Sequence, residues 1–151
     1  MIKIPEEIID FFESEKIVIV ATTDNKCKVN LSVKGLASID PDGKIYIIDL
    51  YHGKTWENLG LNSSITIAAV NEEKFKGWQL KGLAKEYDSQ KSEEIMKNWD
   101  KKILKRISDR IIRNLKKKKQ LAHSEVHLPE VEYIIEMQVE EIIDLSGRKT
   151  S

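Results

Sequence analysis

The first half of the chain alternates between short apolar runs and clusters of turn residues. Pro5, followed by two glutamates, marks a helix start and predicts a helix over about Pro5–Ser14. Strands are predicted at Ile17–Thr22, Lys28–Ile39, Lys44–Leu50, Ile65–Val70 and Gly77–Tyr87, with a short helix at Thr55–Leu61. Parallel strands would need a long helix between them, so these short, even spacings favour an antiparallel barrel or sandwich.

The second half has a different period. From about Ser92 to Lys119 apolar residues recur at steps of four, which predicts one long helix with an apolar stripe. The stripe comprises Ile95, Trp99, Ile103, Ile107, Ile111 and Leu115, and such a stripe is usually core or subunit contact. Val131–Ile143 then alternates as a final strand. We expect a mainly β fold in a single domain over residues 1–151.

Size and charge limit the possible classes of protein. The chain has 151 residues with 25 basic and 25 acidic side chains, enough for one domain with a real core. No apolar run approaches the ~20 residues that a membrane helix needs. Acidic residues precede any apolar stretch at the start, and Cys27 is the only cysteine, so no internal disulfide can form. We therefore expect a cytoplasmic protein without a membrane partner.

The long helix is strongly basic at its end. Between Lys101 and Lys119 there are ten basic residues and one acidic residue, Asp109. Such a run could bind a nucleic-acid backbone. However, no aromatic residue follows Trp99 in the helix, and lysines near a helix C-terminus also offset its dipole. A solvated face is the default interpretation, and we do not expect nucleic-acid binding.

The histidines give little support for a metal site. His123 and His127 have the i, i+4 spacing of two ligands on one helix face. They lie in a loop-like stretch before Pro129, and no third ligand is obvious, so we expect no metal. His52 is of greater interest because it lies two residues before Lys54.

The segment Lys54–Leu59 is the most informative part of the sequence. It follows the apolar run Ile45–Leu50 and opens the predicted short helix. The first N–H groups of a helix have no internal partner and suit a phosphate, to which Lys54 adds a charge and Thr55 a hydroxyl. The competing interpretation is an ordinary helix cap, with Thr55 as N-cap and Asn58 at N3. The hexapeptide alone leaves both open and favours the cap.

The order of motifs around this segment resembles a known family. The motifs are Val29–Gly35, Ile48–Leu50, Tyr51–Gly53, Lys54–Leu59, Asn62–Ser64 and Gly77–Ala84. Together they resemble the FMN-binding split-barrel family, the pyridoxamine 5′-phosphate oxidase-like flavoproteins, over about Pro5–Tyr87. The resemblance implies a six-stranded antiparallel split barrel that forms a homodimer with FMN at its interface. The long helix from Ser92 departs from the family's pattern and looks like an insertion before the last strand.

The resemblance also implies a set of cofactor-binding residues. Lys54 and Thr55 would hold the FMN phosphate, and the main chain of Asn30–Lys34 would meet the ring edge. The full set is Asn30, Leu31, Ser32, Val33, Lys34, Ile48, Asp49, His52, Lys54, Thr55, Trp78 and Gln79. Lys34 would place positive charge near the flavin and favour its reduced anion. No credible acid–base pair is present, so no catalytic side chain is named.

The expected function is that of a cytoplasmic FMN-dependent oxidoreductase, with NAD(P)H or a redox protein as the candidate partner. The chain ends Ile142–Lys149 without the Arg-containing motif that holds the substrate phosphate in true pyridoxamine phosphate oxidases, so pyridoxal chemistry is not expected. Two alternatives stay open. The barrel could hold haem or a deazaflavin instead, with His52 or His123 as a haem ligand, or the basic helix could bind nucleic acid.

Overall fold

The chain folds into six strands and three helices. The computed structural model describes residues 2–15, 17–50, 53–87, 92–116, 131 and 133–147. The elements are α1 (Glu6–Glu15), β1 (Ile17–Thr23), β2 (Val29–Ile39), β3 (Lys44–Asp49), α2 (Lys54–Leu61), β4 (Ser64–Asn71), β5 (Lys76–Glu86), α3 (Glu93–Lys116) and β6 (Tyr133–Asp144). The predicted strands and helices are all present, with ends that differ by a few residues.

The strands close into one antiparallel barrel. Their order around it is β1-β2-β3-β6-β5-β4, and every neighbouring pair is antiparallel. Side chains alternate between the two faces of a strand, so the apolar alternation in the sequence fills the interior. On β6, for example, Tyr133, Ile135, Met137 and Val139 are buried on one face, as predicted. The mainly β barrel with flanking helices is therefore confirmed.

The barrel interior forms the main hydrophobic core. Val20, Ile45 and Leu80 are fully buried in it. The helix α1 contributes Ile8 and Phe12 to the same core, because its apolar positions recur at helical spacing on one face. This places α1 on the barrel and leaves its acidic first turn outside.

The long helix α3 packs on the outside of the barrel through its first half. Ile95 and Trp99 are buried in a second hydrophobic cluster with Ile134 of β6. The Trp99 ring lies so close to Gly35 of β2 that a Cβ there would overlap it. The ammonium of Lys102 then donates to the Leu36 carbonyl oxygen at 3.1 Å and pairs with Glu13 at 2.6 Å. These contacts fix α3 against β2.

The second half of α3 is exposed. Ile111 and Leu115, which belong to the predicted apolar stripe, are 40% and 60% exposed. The stripe is therefore core in its first half and uncovered in its second. Residues 117–119 of the predicted helix, and both His123 and His127, lie outside the described residues.

Two glycines have roles that the sequence did not identify. Gly35 does not form a bulge: it pairs regularly with β1, and the irregularity in β2 falls between Leu36 and Ser38. Its small size instead makes room for Trp99. Gly82 sits at a register shift between β5 and β6, where a Cβ would overlap the Gln138 backbone.

None of the helices within the described residues combines the length and the apolar character that a membrane crossing requires.

Candidate functional site

The candidate site begins at an open edge of β2. Residues Val29–Gly35 pair with β1, but the pairing of β2 with β3 starts only at Gly35, opposite Ile48. Within the described residues, the stretch 29–34 therefore has no ladder partner on its β3 side. Backbone N–H and C=O groups at an unpaired strand edge are available to another molecule. The segment Asn30–Lys34, predicted to meet the flavin through its main chain, is this edge.

The start of α2 is tied to this edge by two hydroxyl groups. Ser32 Oγ and Thr55 Oγ1 lie 2.8 Å apart, and Thr55 is only 1% exposed. The helix begins at Lys54 with Gly53 as N-cap, and no side chain caps it. Asn58, also buried, donates to the Thr22 hydroxyl at 3.1 Å. The ordinary-cap interpretation is therefore wrong, because Thr55 and Asn58 both point toward the barrel.

The backbone of this helix start also suits an anion. The N–H of Glu57 donates to Gly53 O at 3.2 Å, so the helical bonding pattern begins there. The N–H groups of Lys54 and Thr55 precede that bond and lie at the positive end of the helix dipole. Donors of this kind, next to two hydroxyls, form the type of site that phosphate occupies.

The Lys54 ammonium lies at the rim of the site. It is 3.5 Å from Glu57 Oε2, and both side chains are more than half exposed. Exposed pairs of this kind contribute about 0–1 kcal/mol, so Lys54 can turn to another anion at little cost. Backbone N–H donors from Lys28 and Lys26 lower the pKa of the exposed Asp24, and Lys54 adds to that effect, which places its charge near the β1–β2 turn.

At the other end of the open edge lies a buried ion pair. Lys34 Nζ is 2.7 Å from Asp49 Oδ1; Asp49 is 0% exposed and the Lys34 side chain 11%. Burial raises the pKa of Tyr133, and a side-chain hydrogen bond with Asp49 raises it further, so the phenol stays protonated beside the pair. Both Lys34 and Asp49 were predicted site residues. The structure brings them together, and the Asp49 carboxylate offsets the positive charge expected from Lys34.

The remaining predicted residues on β2 and β3 have different surroundings. Asn30 is half-buried and pairs with Thr22 of β1. Leu31 and Val33 point to the outer side of the barrel and are each 66% exposed. The Ile48 side chain is buried in the hydrophobic cluster under α3, which leaves only its main chain near the open edge.

Trp78 and Gln79 lie on the far side of the barrel. They belong to β5, whose neighbours are β4 and β6, whereas those of β2 are β1 and β3. One copy of the chain therefore does not bring them to the open edge. His52 lies outside the described residues.

Exposed apolar side chains cover the outer side of β1 and β2. We call this the outer apolar face, and it comprises Ile17, Ile19, Val29, Leu31 and Val33. Cross-strand pairing extends one row of this face over four strands, from Val33 through Ile19 and Ala68 to Gln79. An apolar patch of this kind on a barrel usually marks an interaction surface.

A large cavity lies between α3 and the barrel. Its volume is about 800 Å³, and it begins at Val33, Lys34 and Gly35 of the open-edge strand. Met96, Trp99, Ile103 and Arg106 of α3 line the opposite side. These α3 residues were missed as site residues. The stripe at helical spacing had identified Trp99 and Ile103 as apolar neighbours, but spacing alone cannot show a gap beneath them.

Histidine, cysteine, aspartate and glutamate side chains form no cluster of three that could hold a metal ion in the part of the chain that the structure describes.

Comparisons with known proteins agree with this architecture. The family model described as pyridoxamine 5′-phosphate oxidase matches residues 4–141. The closed six-stranded barrel is the fold of the FMN-binding split-barrel family. The chain belongs to this pyridoxamine 5′-phosphate oxidase-like family. A search of curated proteins finds no match to the chain.

Solved structures with the same fold include proteins with different names and ligands. HupZ from Group A Streptococcus is 21% identical with a TM-score of 0.68, covering 95% of this chain and 95% of that chain. An FMN-binding protein from Syntrophomonas wolfei is 12% identical with a TM-score of 0.66, covering 93% and 84%. HutZ, described as a heme storage protein from Vibrio cholerae, is 16% identical with a TM-score of 0.57, covering 94% and 94%.

Proposed function

We propose that the protein is an FMN-binding flavoprotein that acts as a homodimeric oxidoreductase in the cytoplasm. The observation that carries the proposal is the contact between Ser32 and Thr55, 2.8 Å apart, which joins a helix start to an open strand edge. A phosphate and a flat ring need these two features side by side. When bound, FMN would supply hydride or electron transfer, and the protein would supply binding, orientation and electrostatics.

The donor set fits the two ends of the cofactor. A phosphate dianion needs a cation and several donors, and Lys54, the hydroxyl pair and the helix start provide them. The isoalloxazine has a polar edge that can bond to the N–H and C=O groups of the open edge. From Ser32 the strand runs to Lys34, whose ammonium would lie near the ring end with its charge offset by Asp49.

The homodimer is proposed from the outer apolar face. A second copy would cover exposed apolar side chains on both subunits, because a two-fold interface uses the same patch twice. The row from Val33 to Gln79 crosses this face, so packing there would bring Gln79 of the partner subunit toward the first copy's β2. In such a dimer, Trp78 and Gln79 could contact the cofactor bound to the other copy, which they cannot reach within one copy.

The visible spectrum of the freshly purified protein tests the proposal. Flavin bands that bleach on anaerobic addition of NADH or NADPH are expected, and either reductant or a reduced redox protein is a candidate donor. A Soret band instead would favour haem, the alternative suggested by the fold of HutZ, and a deazaflavin spectrum would favour that cofactor. A colourless protein that does not bind added FMN would overturn the proposal.

Titration of cofactor-free protein with FMN tests the site itself. Lys54→Ala is expected to weaken binding more than about tenfold, because a charge-assisted contact contributes roughly 1.5–3 kcal/mol. Thr55→Val should weaken it as well by removing a hydroxyl from the pair. Lys74→Ala, in the turn between β4 and β5, is the matched control and should leave the affinity unchanged. Equal affinities in all three variants would remove the phosphate site.

A further inference from the structure

We propose that the cavity beneath α3 binds a flat aromatic molecule with a single carboxylate, held beside the proposed flavin site. The inference rests on the proposed function for the role of this molecule as substrate, but its binding can be measured independently. Its support is the position of the cavity, its apolar wall and the placement of charges around it.

The position of the cavity makes it a continuation of the open edge. The strand segment that borders it, Val33–Gly35, directly follows Ser32, which contacts Thr55. A volume of about 800 Å³ falls within the roughly 300–1,000 Å³ of small-molecule sites. A molecule in this cavity would therefore lie next to any ring that occupies the β2 edge near Lys34.

The wall formed by α3 favours a flat apolar ligand. Met96 and Ile103 lie one helical turn on either side of Trp99, and all three line the cavity. The Trp99 ring packs directly against Gly35 and is buried, so it forms a flat part of the wall. Tyr87, directly after β5, also lines the cavity. Aromatic rings and methionine pack well against a flat conjugated molecule.

The charges around the cavity favour one anionic group. Lys34 borders it and uses one N–H bond for Asp49, while an ammonium carries three donors. The Arg106 guanidinium lies over the Trp99 ring, 5.9 Å from its centre, and also lines the cavity.

The rim carries the opposite charge. Glu86 and Asp100 line the cavity and are exposed. Their carboxylates would repel a second negative charge on a ligand. A monocarboxylate therefore fits better than a doubly charged phosphate ester.

The test uses 2-naphthoate as the probe, titrated calorimetrically into the full chain with and without saturating FMN. Ile103→Trp fills the cavity from α3 and should weaken binding at least about tenfold. Leu104→Trp is the matched control, because Leu104 follows Ile103 in the helix but is 58% exposed and does not line the cavity. This control should change the affinity for 2-naphthoate less than about twofold. Neutral 2-naphthamide should bind the unchanged protein at least about fivefold more weakly than the carboxylate.

The outcomes separate this inference from the proposed function. If Lys54→Ala loses FMN but keeps 2-naphthoate, the cavity is a separate site, as inferred. If the unchanged protein binds no FMN but shows the naphthoate pattern, the proposed function fails and the cavity assignment stands. No measurable naphthoate binding, equal loss in both tryptophan variants, or equal binding of the amide would overturn the assignment.

Discussion

Separating the buried pair of Lys34 and Asp49 should destabilise the protein, and the two ways of doing so should differ in size. The carboxylate is 0% exposed, whereas the ammonium borders the cavity beneath α3. After Asp49→Asn, Lys34 can turn toward water in the cavity. After Lys34→Met, the Asp49 carboxylate has no such route. We therefore expect Lys34→Met to be the more damaging change.

The magnitude follows from the burial of each group. Removing one partner of a buried ion pair costs about 3–5 kcal/mol, because the other charge is left uncompensated. Asp49→Asn should fall near about 3 kcal/mol and Lys34→Met near about 5 kcal/mol. With a urea dependence of roughly 2 kcal/mol per molar, the unfolding midpoints should drop by about 1.5 M and 2.5 M.

Equilibrium urea unfolding followed by circular dichroism measures these changes. The double variant Lys34→Met with Asp49→Asn should recover at least about 1 kcal/mol relative to the sum of the single changes, since no buried charge is left alone. Glu57→Gln removes the exposed pair with Lys54 and is the control, expected to cost at most about 1 kcal/mol. If Asp49→Asn and Lys34→Met both lie within about 0.5 kcal/mol of the unchanged protein, the buried pair has no structural role.

Three further predictions concern the helix contact, the tyrosines and the outer face. Gly35→Ala should lower the free energy of unfolding by about 1–3 kcal/mol, because the added Cβ overlaps the Trp99 ring. Combining it with Trp99→Leu should restore part of that free energy. If the losses of the two single variants simply add in the double variant, the contact is contradicted. Burial, followed by repulsion from nearby carboxylates, raises the pKa of Tyr46 from 10.0 to about 12. The fold therefore favours the neutral phenol of Tyr46. The stabilisation that this phenol gives is complete below pH 10 and is lost as the pH rises through about 12. A tyrosinate absorbance titration that ends near pH 10 would refute this. Leu31→Glu should shift the protein from dimer to monomer in a sedimentation experiment. Phe75 is 89% exposed in the β4–β5 turn, and Phe75→Glu is the control that should leave the dimer intact. If the unchanged protein is itself a monomer, the proposed dimer is wrong.

Much of the fold could be predicted because its signals are local. The alternation in Ile17–Thr23 and the switch to helical spacing after Glu93 depend on neighbouring residues only. The role of Thr55 could not be settled in this way. Its hydroxyl contacts Ser32, which lies 23 residues earlier, and a helix cap and a tertiary contact use the same residue types.

The site was predicted as a set of residues but not as an arrangement. Lys34 and Asp49 were both named, but their pairing depends on where β2 separates from β3. The cavity beneath α3 is lined by residues far apart in sequence, such as Gly35 and Trp99. Periodicity identifies which side of a helix is apolar, but it gives no information on what lies opposite that side.

The open edge of β2, which has no ladder partner on its β3 side within the described residues, also matters for how the protein behaves in solution. A strand margin with unsatisfied amides can recruit a strand from another molecule and start ordered aggregation, and polar or charged residues there reduce the hazard. Ser32 and Lys34 are residues of this kind. However, the Ser32 hydroxyl already contacts Thr55, and the Lys34 ammonium already pairs with Asp49. A ligand that covers these backbone amides would therefore also protect the chain against fibril growth. When both are concentrated, a preparation without ligand should precipitate before one with ligand bound.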